Sequence, residues 1–410
     1  MWAIIKPQEP LLLGDVRGDS QFLTTQLYIP GRVVRGAWAS GLALEGKSAD
    51  EILQTIARLR VGNFFPAPEW RELRYVLPLP LSAMTCKRTG GFRTEPYPGH
   101  RGHGVVDTLL PQLAYRLLRT HGARFPVPFA LTCRECEDRM EPASGYYSVH
   151  RHHGQEAYVI FRPRFHAQTK VAISRHRRAA VESMLYTASA LSPFTAHPEG
   201  SEQPVGVVFA GRVFPQDDGD EAWNSMKEVL NNGLSALGAL RTRGYGRVKV
   251  EEMEADLPDL KDRVERFNQL LKDLWQDLQA LAVNAGEIPR RPPDGVYFTV
   301  DLLAPAILQD EHGLPSLRPV LNLGGKILRP LLWLTRPDMA SGWSMTWGLP
   351  KPTHLAARIG SVYAFHWKGD LEEILPHLEA LEREGLGRRR AEGFGECLVC
   401  HPFHLEVEEK

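Results

Sequence analysis

Apolar residues recur at helical spacing in two distant stretches, Trp223, Met226, Val229, Leu230 and Leu234 in one and Leu371, Ile374, Leu375, Leu378 and Leu381 in the other. Each pattern predicts an amphipathic helix. A glycine-rich run follows each, GALRTRGYGRVKV (238–250) and GRRRAEGFGECLV (387–399), and then an extended segment, RVKVEEM or ECLVCHPFHLEV. The two runs align without a gap, setting Gly238, Arg241, Gly244, Tyr245 and Gly246 against Gly387, Arg390, Gly393, Phe394 and Gly395. Upstream, MWAIIKPQEPLLL and GVYFTVDLLAPAIL each read as a strand, and RVVRGAWASGLAL after Pro30 and Gly31 reads as a helix. A two-fold internal repeat accounts for this order.

Strands and helices in this order predict an α+β protein: tandem ferredoxin-like (RRM-like) domains, with helices on one face of an antiparallel sheet. The expected boundaries are 1–255 for the first domain, 256–292 for a linker helix closed by PRRPPDG, and 293–410 for the second. The first half exceeds what such a fold needs, so about 82–156 is read as an insertion. At 410 residues, 43% of them hydrophobic, the chain can bury more than one core.

A formal net charge of zero conceals a basic tract. Between Ala157 and Val181 stand Arg162, Arg164, Lys170, Arg175, Arg177 and Arg178 and no acid. Such a tract suits single-stranded RNA, whose phosphates demand cations, although a solvated charged face is the plain alternative. In the glycine loops, positive φ lets amides approach an anion while arginines neutralise it; a helix that simply ends in glycine is the structural alternative. A dinucleotide fingerprint is the weaker reading, because these loops follow a helix and open a strand. Gly31 and Gly36 start a helix whose amides, with Arg35, could meet a further phosphate, unless Pro30 and Gly31 form only a turn.

Five cysteines in a large chain without a signal-peptide core argue against a disulfide framework. Cys133 and Cys136 have the C-x-x-C spacing of a zinc knuckle, with Cys86 earlier in the same insertion. Zinc is the expected cofactor, with Cys86, Cys133, Cys136 and His103 as ligands and His100 the next candidate for the fourth place. His150, His152 and His153 in VHRHHG are further candidates for that place, although an exposed polar loop is the plainer reading. Cys397 and Cys400 match the haem-attachment pattern, but their place in a predicted strand points to buried thiols. No apolar run is long enough to cross a membrane, so a cytoplasmic protein is expected. Trp343 to His354 reads as a docking loop or as a core strand and turn.

YIPGRVVRGAWA (28–39), TKVAISRHRRAAVESMLYTASAL (169–191) and GLGRRRAEGFGECLVCHPFH (385–404) resemble the CRISPR-associated RAMP superfamily, and most closely the type III-D effector subunits of the Csx-ten family. The resemblance implies a non-catalytic subunit that grips the 5′ repeat-derived tag of a crRNA and caps a multi-subunit effector. Its implied partners are the large polymerase-like subunit, the backbone RAMP subunits and, indirectly, target RNA. It further implies that a hairpin at about 162–180 lies against the guide through Arg175, Arg177 and Arg178. The RNA-contact set expected is Arg35, His166, Lys170, Arg175, Arg177, Arg178, Arg241, Arg243, Gly244, Tyr245, Gly246, Arg247, Arg388, Arg389 and Arg390. Glu392 and Glu396 stand where the first loop has Arg243 and Arg247, so the second loop is expected to bind RNA more weakly or to serve a protein contact. Relatives of this fold cleave precursor RNA, which makes His166 the candidate for an alternative endoribonuclease; a zinc-stabilised scaffold without RNA affinity is the third reading.

Overall fold

The computed structural model describes all residues except 15–21, 97–100, 153, 217–218, 345–347 and 407–410. The first half builds a sheet from β1 (Trp2–Pro7), α1 (Gly31–Leu44), β2 (Leu59–Pro68), β3 (Val205–Pro215), α2 (Gly219–Asn231) and β4 (Val248–Met253). Its long strands run in the order β2-β3-β1-β4, all antiparallel, and the short strand Phe194–Thr195 adds a fifth at the start of β3. One face packs on both helices: Ala3, Ile5, Val61, Phe209 and Val213 meet Trp38 of α1 and Trp223, Met226 and Leu230 of α2. Trp38 is wholly buried, and truncating such a side chain to alanine costs about 3–5 kcal/mol.

The second half repeats the strand order. α3 (Leu260–Ala280) leads into β5 (Val296–Leu302), β6 (Leu332–Leu334), β7 (Val362–Trp367), α4 (Leu371–Glu384) and β8 (Cys397–Val399), and the sheet reads β6-β7-β5-β8. The expectation for the helices needs correcting here. No helix lies between β5 and β6; instead α3, read from sequence as a linker, sets Leu260, Val264, Phe267 and Leu271 into the core of this second sheet. Asn268 fastens it there, donating to the carbonyl of Tyr297 at 2.8 Å and accepting from its amide at 2.9 Å. Two smaller expectations also fail. Leu234 lies beyond the end of α2 and is exposed, because Asn231 ends the helix first. The terminal segment is extended only over β8, and Phe403–Glu406 then turn into a short helix.

The other face of the first sheet is covered too. Trp2, Ile4, Phe65, Ala67, Val208 and Ala210 pack beneath Tyr75, Leu77, Tyr147, Val149 and Tyr158. Those residues belong to a three-stranded sheet of Glu72–Pro78, Tyr146–His152 and Gln155–Phe161. An open ferredoxin-like sheet that stacks bases on its exposed face is therefore closed in this chain. What this first sheet leaves at the surface is its loops and edges.

Candidate functional site

The two glycine loops share one backbone. Leu240 and Arg389 both adopt the left-handed region (φ 58° and 57°), each opens a three-residue turn of 3-10 helix, and Gly244 and Gly393 close it. Leu237 donates to the carbonyl of Gly246 at 2.8 Å as Leu386 does to that of Gly395 at 2.9 Å. The carbonyls of Pro10 and Leu12 hold the first loop, and those of Pro305 and Ile307 the second. Glycine is required at the last position: a Cβ on Gly246 would lie 2.3 Å from the carbonyl oxygen of Leu237, and one on Gly395 only 1.7 Å from that of Leu386. Both also carry positive φ. The aromatics at matched offset, Tyr245 and Phe394, are both buried.

The partners of the two loops differ. Tyr245 donates to Oε1 of Gln168 at 2.9 Å, the Lys170 ammonium sits 4.5 Å from the Tyr245 ring centroid, and Arg243 bonds the hydroxyl of Tyr186. Gln168, Lys170 and Tyr186 belong to an antiparallel hairpin of Phe165–Ser174 and Ala179–Leu191. Loop and hairpin thus form one unit. Arg241, Arg243, Gly244 and Arg247 are exposed on it, as are His166, Arg175, Arg177 and Arg178 on the hairpin. Arg243, Gly246 and Arg247 already donate their amides to Leu240, Pro10 and Glu9, which leaves recognition of an anion at this loop chiefly to guanidinium groups rather than to a backbone cradle.

The second loop turns inward. Glu396 is wholly buried and accepts from the Asn63 amide at 2.8 Å, from Asn63 Nδ2 at 2.9 Å and from Arg212 Nη2 at 3.1 Å. Asn63 Nδ2 also donates to the carbonyl of Gly393 at 2.9 Å, and its Oδ1 accepts from the Gly31 amide at 3.2 Å. Arg35 donates to the carbonyl of Ala391 at 2.9 Å. The start of α1, read as a possible phosphate seat, is in fact the docking point of the second loop. Although burial alone would raise the Glu392 carboxyl, Arg389 and Lys351 hold it at about 2. Arg390 reaches Glu384 at 3.3 Å, while Arg388 stays exposed.

Cys86, His103, Cys133 and Cys136 converge, their ligand atoms all within 4.8 Å of one another. Three short strands bring them together: Ala83–Cys86 pairs with both Val105–Asp107 and Met140–Pro142, and the knuckle lies just before the last. Cys86 Sγ lies 3.5 Å from Cys136 Sγ, and Cys133 Sγ lies 3.5 Å from His103 Nδ1. A tetrahedron with Zn–S of about 2.3 Å and Zn–N of about 2.0 Å has edges of about 3.8 Å and 3.5 Å, so the set fits that ion. Burial opposes ionisation of Cys133, but the amides of Cys136 and Glu135 and the His103 ring outweigh it and bring the thiol down to about 7. Glu135 Oε2 stands 3.7 Å from His103 Nε2, on the side away from the sulfurs, where a carboxylate orients a ligating imidazole. This cluster could hold a metal ion.

Sequence reasoning placed other polar groups differently. His150 is buried, its ring 5.1 Å from that of Trp70, and burial lowers it to about 4; it is a core histidine and not part of an exposed loop. His100 and His153 lie outside the described residues, as do the side chain of His152 and part of the Trp343–His354 segment. Cys397 and Cys400 are buried thiols. Sequence gave no sign of the Asn63–Arg212–Glu396 network, nor of His404 between Asp107 and Asp301, because nothing in local spacing marks partners so far apart.

Residues 274–402 match the family model described as CRISPR-associated protein (Cas_Cmr3). The resemblance to CRISPR-associated proteins is borne out. The match starts within α3 and takes in the second sheet and its glycine loop; the first sheet, the hairpin and the cysteine cluster lie outside it. No curated protein matches the chain. Among solved structures, a chain of the Type III-B Cmr-beta complex bound to cognate target RNA and AMPPnP is 13% identical, with 89% of this chain and 86% of that one covered and a TM-score of 0.41. A chain of the Csm3-Csm4 subcomplex of the type III-A CRISPR-Cas interference complex is 11% identical, with 90% and 93% covered and a TM-score of 0.34. Among the described residues no helix is long and apolar enough to cross a membrane.

Proposed function

We propose that this chain is a non-catalytic RNA-binding subunit of a type III CRISPR effector, of the Csx-ten kind, built on tandem ferredoxin-like domains. It holds the 5′ repeat-derived tag of the crRNA and caps the assembly beside the large polymerase-like subunit, with backbone RAMP subunits on its other side. The observation that carries this reading is the joining of the first glycine loop to the basic hairpin. Arg175, Arg177, Arg178, Arg241 and Arg243 are exposed there, and none forms an ion pair with an acid among the described residues. Unpaired guanidinium groups on a rigid two-part scaffold suit a phosphate backbone. The cluster of Cys86, His103, Cys133 and Cys136 would hold zinc, which ties the insertion together without taking part in RNA contact.

His166 is exposed and makes no side-chain hydrogen bond among the described residues; beside Arg164 it is read as a contact to phosphate rather than as the base of a nuclease. The test is equilibrium binding of the purified protein to labelled crRNA carrying its native 5′ tag, against RNA with the tag scrambled, at physiological salt. Preference for the native tag is expected. Replacing Arg175, Arg177 and Arg178 together with alanine should weaken binding and flatten its dependence on salt by about three phosphate contacts, with the melting temperature unchanged. A triple variant that binds like the parent refutes the hairpin assignment.

A further inference from the structure

At the root of the hairpin lies a hollow of about 430 Å³, open to solvent and within the range of small-molecule sites. Phe165 and Phe194 line it at 54% and 58% exposure. Neither ring stacks on another aromatic among the described residues. Arg164, His166, His197 and Glu202 complete the polar part of the wall.

The two rings stand on fixed backbone. Phe165 is paired with Leu191 in the hairpin, and Phe194 with Gly206 across the edge of the first sheet. Between them, Ser192 donates its amide to the carbonyl of Arg164 at 2.8 Å, while its hydroxyl donates to the carbonyl of Phe194 at 2.9 Å and accepts the amide of Phe194 at 3.2 Å. With the backbone at both rings already fixed, only their side-chain rotamers remain to be ordered when a flat partner arrives. That is the arrangement of a stacking platform, where a base is sequence-tolerant because every base has a π-face.

We propose that this hollow is a nucleotide pocket, taking one unpaired base of a single-stranded RNA against Phe165 and Phe194. The inference rests on the RNA-binding reading above. Arg164 is placed for the adjoining phosphate, and the Glu202 carboxylate accepts from an amino or imino edge of the base, as acidic side chains do. A protein partner would be served by the same rings, but a wall with an arginine, two histidines and a carboxylate suits the mixed charge and hydrogen-bonding edge of a nucleotide better than an apolar side chain.

The experiment compares the parent with Phe165→Ala, Phe194→Ala and the triple arginine variant, using fluorescein-labelled single-stranded crRNA over a salt series. Loss of one base stack should weaken binding by about 5- to 150-fold, leave the salt slope unchanged, and be restored by Phe165→Trp or Phe194→Trp. An RNA made abasic at the seated nucleotide should bind parent and alanine variants alike. Alanine variants that bind as tightly as the parent, while the triple arginine variant is weakened, overturn the pocket and leave the RNA-binding reading intact, with a protein partner as the alternative occupant. A parent that binds no single-stranded RNA overturns both. Because both side chains are exposed, unchanged melting temperatures are expected to show that the variants fold.

Discussion

His404→Gln should be strongly destabilising, and its effect should fade with rising pH. The residue lies on the short C-terminal helix and is wholly buried. Its Nδ1 donates to Asp107 Oδ2 at 2.9 Å and its Nε2 to Asp301 Oδ1 at 2.8 Å, so both nitrogens carry protons and the ring is an imidazolium. Burial alone would depress its pKa, but the two carboxylates outweigh that and lift it from 6.5 to about 10. Asp301 is held in place by Thr299 at 2.6 Å and Asp107 by Ser82, and the three charged groups join the insertion, β5 and the C-terminus.

A folded-state pKa above the unfolded one contributes stability that is complete below 6.5 and lost as pH rises through 10. The full difference, 3.5 pH units at 1.36 kcal/mol each, comes to about 5 kcal/mol, in line with the roughly 3–5 kcal/mol lost when one partner of a buried ion pair is removed. The contribution should be about 4 kcal/mol at pH 7, about 2 kcal/mol at pH 8.5 and nearly nil above pH 10. Chemical denaturation followed by circular dichroism, parent against variant at each pH, measures it. A difference below about 1 kcal/mol at pH 7, or one that stays constant from pH 7 to 10, would refute the assignment of an imidazolium held by two carboxylates.

The remaining predictions concern the second glycine loop and the cysteine cluster. Glu396→Ala takes the closest carboxylate from Arg212, which is 7% exposed, and leaves the Asn63 backbone amide without its acceptor; a loss of about 3–5 kcal/mol in denaturation is expected, with little change in RNA binding because the first loop is untouched. Cys133→Ser should lower the melting temperature and remove bound zinc by elemental analysis. A chelator should lower the parent's melting temperature to the variant's and leave the variant unmoved; a variant that keeps the metal would show that the ligand set is wrong.

What could be read from sequence follows from how local each constraint is. The glycine loops were legible because Gly246 and Gly395 answer to a carbonyl only nine residues upstream and to their own φ, constraints written in neighbouring positions. The helices α1, α2, α3 and α4 were legible from apolar spacing. The roles of α3 and of Leu234 were not, because periodicity marks an apolar face without naming the surface that covers it. The same limit governs the acids of the second loop. Against Arg243 and Arg247, Glu392 and Glu396 read as a loss of basic character, and only the fold shows that Glu396 meets Arg212, 184 residues away in the chain. Two loops of one backbone have thus divided their work through side-chain partners. The second spends its charges on Arg212, Lys351 and Arg389 and binds the halves of the protein together, while the first keeps Arg241, Arg243 and Arg247 facing water beside the hairpin. Transplanting the two acids into the first loop, as Arg243→Glu with Arg247→Glu, should therefore weaken RNA binding in a titration against the parent without creating a second internal dock, since among the described residues no buried arginine lies opposite it.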